Sequence, residues 1–135
     1  VARPRRKTRP ASASDAAACL AKSKEFLRPA QDSLELGNRT AATGNAVHAG
    51  IAASDAISAA LSGAVSQGEH ADAPAHLDSI GGEATAAARQ LRQLLPLKSQ
   101  AEYDPRPIPA KPARRAVTAA ERLAAIAERV TRSSG

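Results

Sequence analysis

Alanine recurs at intervals of three and four along most of this chain, and almost nothing large stands beside it. Hydrophobic residues make up 43% of the 135 positions but aromatics only 1%, with one Phe, one Tyr and no Trp. Small side chains at helical spacing bury little area each, and burial stabilises by roughly 25 cal/mol per Å², so helices built this way must approach closely. No stretch alternates apolar and polar residues as a half-buried strand would. The expected fold is all-α: an antiparallel four-helix bundle with a short extra helix between the second and third long helices. A shallow core of this kind gains from a second subunit, and a homodimer is expected.

The punctuation places the elements. Residues 1 to 12 carry Arg3, Arg5, Arg6, Lys7 and Arg9 with two prolines and almost nothing to bury, and read as a disordered basic arm. Residues 13 to 135 read as one helical domain. Ser14 or Asp15 is expected to cap a first helix that ends at Gly37, with Pro29 kinking or breaking it. A second helix is expected from Asn38 or Arg39 to Val65, with Gly44, Gly50 and Gly63 inside it. Each of these glycines costs about 1 kcal/mol relative to alanine, a cost that close backbone packing would offset. "SQGEH" reads as a loop, and Asp72 to Ile80 as a short helix with Pro74 in its first turn. A third helix begins after Gly81 and Gly82, bends at Pro96 and carries Tyr103 near its end. Pro105 to Pro112 then leads to the fourth.

Charge narrows the partners. The formal net charge is +6, but five of the 19 basic residues stand in the first ten positions, and the remainder nearly balances the 13 acidic ones. Between Arg39 and Arg89 there is no lysine or arginine. A phosphate-binding surface must therefore come from the arm, the first helix or the last third of the chain. Cys19 is the single cysteine and is expected to be a small buried apolar residue. No apolar run approaches the roughly 18 residues that would span a bilayer, and no stretch reads as a secretory signal, so a cytoplasmic protein without membrane contact is expected. No metal and no cofactor are expected: His70 and His76 match no zinc spacing and read as solvated surface, and "GGE" at Gly81 lacks the context of a phosphate-cradling loop.

Three groups are candidate sites. Lys98 and Tyr103 could together offer a charge to a phosphate and a ring to a base. The competing reading makes Tyr103 a plug that packs on the bundle and locks the exit of the third helix. Asn45, His48 and Asp55 fall along one stripe of the second helix. His48 and Asp55 stand about 10 Å apart along the axis, too far for a hydrogen bond within one helix, so they need a third partner or else form a polar seam satisfied across the bundle. The arm residues Arg3, Arg5, Arg6, Lys7 and Arg9 are the third candidate, as salt-sensitive phosphate contacts.

Two stretches, "NAVHAGIAASDAISAA" and "LLPLKSQAEYDPRPIPAKPARRAVTAAERLA", together resemble small bacterial members of the HEPN family. In that family a long alanine-rich helix precedes a basic-x-x-Ala-acidic-Tyr element, a loop and a final helix. "GEH" at Gly68 to His70 is similar to the loop before its short helix. The resemblance covers roughly residues 13 to 130. It implies a helical bundle that dimerises and binds RNA or a nucleotide in a toxin–antitoxin, defence or regulatory module, with an antitoxin or a nucleotidyltransferase as a possible partner protein. The family's nucleases carry an Arg, four to six residues, then a His. Here the nearest pair, Arg39 and His48, has eight residues between, and Ser99 stands where a histidine would follow the basic residue. The expectation is a binding protein with no catalytic residue assigned. The alternative is a non-catalytic dimeric module that holds another protein, and a metal-independent ribonuclease comes third.

Overall fold

The computed structural model describes residues 7–134. The chain runs β1 (Thr8–Pro10), α1 (Ala13–Glu35), α2 (Arg39–Ser62), β2 (Ala64–Ser66), a single 3-10 turn (His70–Asp72), α3 (Ala73–Ile80), α4 (Glu83–Leu94), α5 (Leu97–Tyr103) and α6 (Ala110–Ser134). It is mostly helical, with α1, α3, α4, α5 and α6 all in contact with α2. The buried cluster is continuous through α1, α2, α3, α4 and α6.

Helix α2 is the axis of the packing. Ala42, Ala46, Ala49, Ala53, Ala56 and Ile57 are fully buried, and α1 and α6 lie against it over most of their length. Gly50 marks the tightest approach. A Cβ there would run into the Leu94 side chain and come within 3.2 Å of Leu123 Cδ1. The Leu94 and Leu123 ends occupy the space a side chain would have taken, which offsets the glycine's propensity cost. Gly44 is looser, with Ala101 Cβ 4.0 Å from the position of an added Cβ.

The ends of the helices depart from the sequence expectations in instructive ways. Ser12, not Ser14 or Asp15, is the N-cap of α1: its hydroxyl accepts from Asp15 N–H at 3.1 Å while the Asp15 carboxylate accepts from Ser12 N–H at 2.9 Å. Helix α1 continues through Pro29 without a break. Helix α2 stops at Ser62 because Gly63 takes the left-handed conformation at φ 69°, so this glycine terminates the helix instead of lying inside it. Pro96 does more than bend the third helix: it separates α4 from α5. Helix α6 starts at Ala110, within the proline segment expected to precede it, with Pro112 inside its first turn, where a missing N–H costs nothing.

Two expectations are overturned around Gly63. Val65 is in a strand, and residues 8 to 10 are its antiparallel partner, with Arg9 opposite Val65. The disordered arm expected over 1 to 12 is therefore corrected for its second half. Arg3, Arg5 and Arg6 lie outside the described residues. The strand pattern was too short to read, at three residues with a proline in one partner. What holds the ribbon is Val65, 2% exposed, which packs with Ala16 and Ala59, together with the bonds from Ala11 N–H to Gly63 O and from Gln67 N–H to Lys7 O, each 2.9 Å. Ser58 Oγ adds a bond to Ala64 O at 2.5 Å, tying β2 back to α2.

The two glycines of α2 give opposite expectations. Gly50→Val should destabilise by about 1–3 kcal/mol through overpacking, whereas Gly44→Ala should stabilise by about 1 kcal/mol through helix propensity. Urea unfolding of both variants checks this, and equal shifts in one direction would refute the close-packing account.

Candidate functional site

A cleft of about 540 Å³ opens where α1, α2 and α5 meet the ribbon and the 3-10 turn, and its walls include Arg9, Lys22, His48, Asp55, His70, Lys98 and Glu102. Its position follows from α2. Positions 48, 51, 52 and 55 recur at i, i+3, i+4 and i+7, and this stripe meets a matching one on α1 at Cys19, Lys22 and Phe26. A smaller hollow of about 200 Å³ adjoins it, shares Arg9, Ile51, Asp55 and His70, and is closed by Ser54, Ser66 and residues 67–69.

The cleft brings together four of the residues singled out in the sequence: Arg9, His48, Asp55 and Lys98. His48 is exposed, and its ring is backed by that of Phe26, with centroids 5.2 Å apart and planes inclined by 35°. Lys98 Nζ lies 3.3 Å from Glu102 Oε2, one turn along α5. Asp55 makes no hydrogen bond or ion pair among the described residues. Burial raises its carboxyl above the ordinary value of 3.8, and the nearby charges of His70, Arg9 and Lys22 only partly offset that. The polar seam considered for this stripe is absent, since Asp55 and His48 both face the cleft. Burial, with the charge of Asp55 behind it, also raises the half-buried Cys19 thiol, which is therefore a poor nucleophile. In the adjoining hollow the Ser66 hydroxyl is buried without a hydrogen-bond partner, an unmet polar group beside an unmet carboxylate.

Other candidates fall elsewhere. Asn45 is half-buried one turn before His48 and lies outside the cleft lining, and Lys7 is exposed at the entry to β1. Tyr103 is 77% exposed and sits in a shallow surface depression with Ser99, Gln100 and Arg106. It neither plugs the bundle nor joins Lys98. The reason is angular: five residues along a helix is a rotation of about 140°, so the residue beside Lys98 is Glu102. The proline segment is anchored instead by Ile108, fully buried between two prolines, and by Arg106, which donates to both Asp104 carboxylate oxygens and lowers that carboxyl.

Sequence reasoning missed Lys22, Phe26, Glu102 and Ser66, and set His70 aside as surface. His70 is exposed but lines the cleft together with Asp55, while His76, expected at the surface, is buried with its Nε2 unpartnered. The signal for Lys22 and Phe26 was present as the three-and-four spacing from Cys19. Among the described residues no group of three or more metal-ligating side chains converges, and no helix is long and apolar enough to cross a membrane.

Asp55 yields a pH test with a definite sign. Its folded-state pKa exceeds the unfolded value, so its contribution to stability is complete below about pH 3.8 and is lost as pH rises through the raised pKa. Asp55→Asn should therefore be more stable than wild type at pH 7, with the gap closing as pH falls toward 4. Urea midpoints measured between pH 4 and 7 check this, and a gap independent of pH would contradict a half-buried, unpaired carboxyl. No model of a known protein family matches the chain, and no curated protein matches it.

Proposed function

We propose that this chain is a HEPN-like helical protein that binds RNA or a nucleotide in the α1–α2–α5 cleft, without cutting it. The observation that carries the reading is the convergence, in one cleft, of Lys98 and His48 from the two stretches that resemble the family. The Phe26–His48 pair supplies a face on which a base can stack. Arg9, Lys22 and Lys98 supply charge for a phosphate, and Asp55 and Ser66 offer polar groups that a base edge or ribose hydroxyl could satisfy. Catalysis is left out because Arg39 and His48, the nearest arginine–histidine pair on one helix, are separated by about 14 Å along the axis. His48 is engaged with Phe26 instead.

The test is titration with adenosine 5′-monophosphate and with a short single-stranded RNA, followed by NMR of the labelled full chain. Shifts should concentrate on residues 22, 48, 55, 70 and 98. His48→Ala should weaken binding by about 1–3 kcal/mol, the worth of one stacked base, and Tyr103→Ala should leave it unchanged. Shifts absent from the cleft would sink the proposal. Shortened RNA that is spared by Arg9→Ala and His70→Ala would replace it with the nuclease reading.

A further inference from the structure

A second surface differs from the cleft in kind. Between α4 and α6 runs an open groove of about 430 Å³ lined by Gln93, Lys111, Arg114, Arg115, Thr118 and Arg122. Four of its six residues are cations and none is acidic. The other two arginines of α6 are paired: Arg129 meets Glu83 at 3.2 Å, and Arg132 meets Glu128 at 3.3 Å. None of Lys111, Arg114, Arg115 and Arg122 has an ion pair among the described residues. On the far flank of Arg114, Asp32, Glu35 and Glu121 border a separate hollow, and Glu121 accepts a hydrogen bond from Gln31 Nε2 at 2.9 Å. Arg89, one turn before Gln93 on α4, is exposed and equally without a partner.

This arrangement is unfavourable for the isolated chain. Lys111 and Arg115 are like charges at i,i+4, a spacing that destabilises a helix by about 0.2–0.5 kcal/mol. Lys111 also stands in the first turn of α6, the positive end of its dipole, where anions and not cations are stabilised, and Arg114 and Arg115 follow one turn on. An anion in the groove reverses the sign of each of these effects.

From this geometry we infer that the α4–α6 groove binds the sugar-phosphate backbone of single-stranded nucleic acid. From Lys111 to Arg122 the cations span about 16 Å along the helix axis, a row suited to a chain of phosphates and too long for one small anion. Three of the four are arginines, whose planar guanidinium forks match phosphate oxygens. The lining has no aromatic ring, so bases are not stacked and contacts are independent of sequence. It also has no large apolar side chain to serve as the buried anchor that a protein partner would require. The groove uses none of the cleft residues, and the inference stands whether or not the cleft binds a nucleotide.

Fluorescence anisotropy of a labelled 20-nucleotide single strand with the full chain, at several salt concentrations, tests this, with RNA and DNA of one sequence as separate arms. Both strands should bind. Arg115→Ala/Arg122→Ala should remove two phosphate contacts and reduce the salt slope by about 1.4, with binding at low salt weakened about tenfold or more. Residues 1–6 are the same in the two proteins, so the difference reports on the groove. Circular dichroism should show the same helicity and an equal or higher melting temperature, because two mutually repelling surface charges are gone. Lys98→Ala, a cleft variant, should leave the slope difference intact. An unchanged slope and affinity in the double variant overturns the proposal. Preference for labelled polyglutamate over both strands overturns it in favour of an acidic protein partner.

Discussion

The structure depends on how close other helices come to α2. A backbone flanked by alanine, glycine and serine lets Leu94 and Leu123 reach the space beside Gly50, and these two are among the few large side chains that are fully buried. The polar residues on α2 do not disturb this, because their hydroxyls are used locally. Thr43 bonds to Arg39 O at 2.9 Å and Ser54 to Ile51 O at 2.8 Å, while Ser23 of α1 reaches across to Ala49 O at 2.7 Å. With most of its circumference committed to packing, α2 keeps one polar stripe toward solvent, and the cleft forms there.

Helical spacing made the long elements readable, as did the punctuation by Gly37, Pro74 and the Gly81–Gly82 pair. The site was legible by residue and not by arrangement. His48 and Asp55 were visible as one stripe, yet the partners that complete the cleft come from α1, β1 and α5, and no local pattern reports such long-range convergence. Tyr103 shows the opposite error. Rarity drew notice to it, while its angle to Lys98, fixed by helix geometry, argued against a shared site. The β1–β2 ribbon escaped because three-residue strands leave no periodicity, and because Gly63, which frees the chain to form it, also fits a glycine inside a helix.

The two polar surfaces express different electrostatic designs. The cleft mixes signs, with Arg9, Lys22 and Lys98 facing Asp55 and Glu102, so its field is short-ranged and favours a ligand whose groups match in position. The α4–α6 groove has one sign throughout, and its field extends until salt screens it, within about 10 Å at moderate ionic strength. Such a surface gathers a polyanion before any fit is established.

Arg9 reaches the cleft on a strand of three residues, fastened mainly by Val65 and a handful of backbone bonds. Attachments this slight detach at a small fraction of the free energy needed to unfold the helices. The guanidinium is thus a hinged fixture. While the ribbon is docked it offsets part of the cost of charging Asp55, and whenever it swings away the carboxyl holds its proton more readily. The cleft's affinity for anything charged is in this way tied to the docking of a few residues outside the helical core.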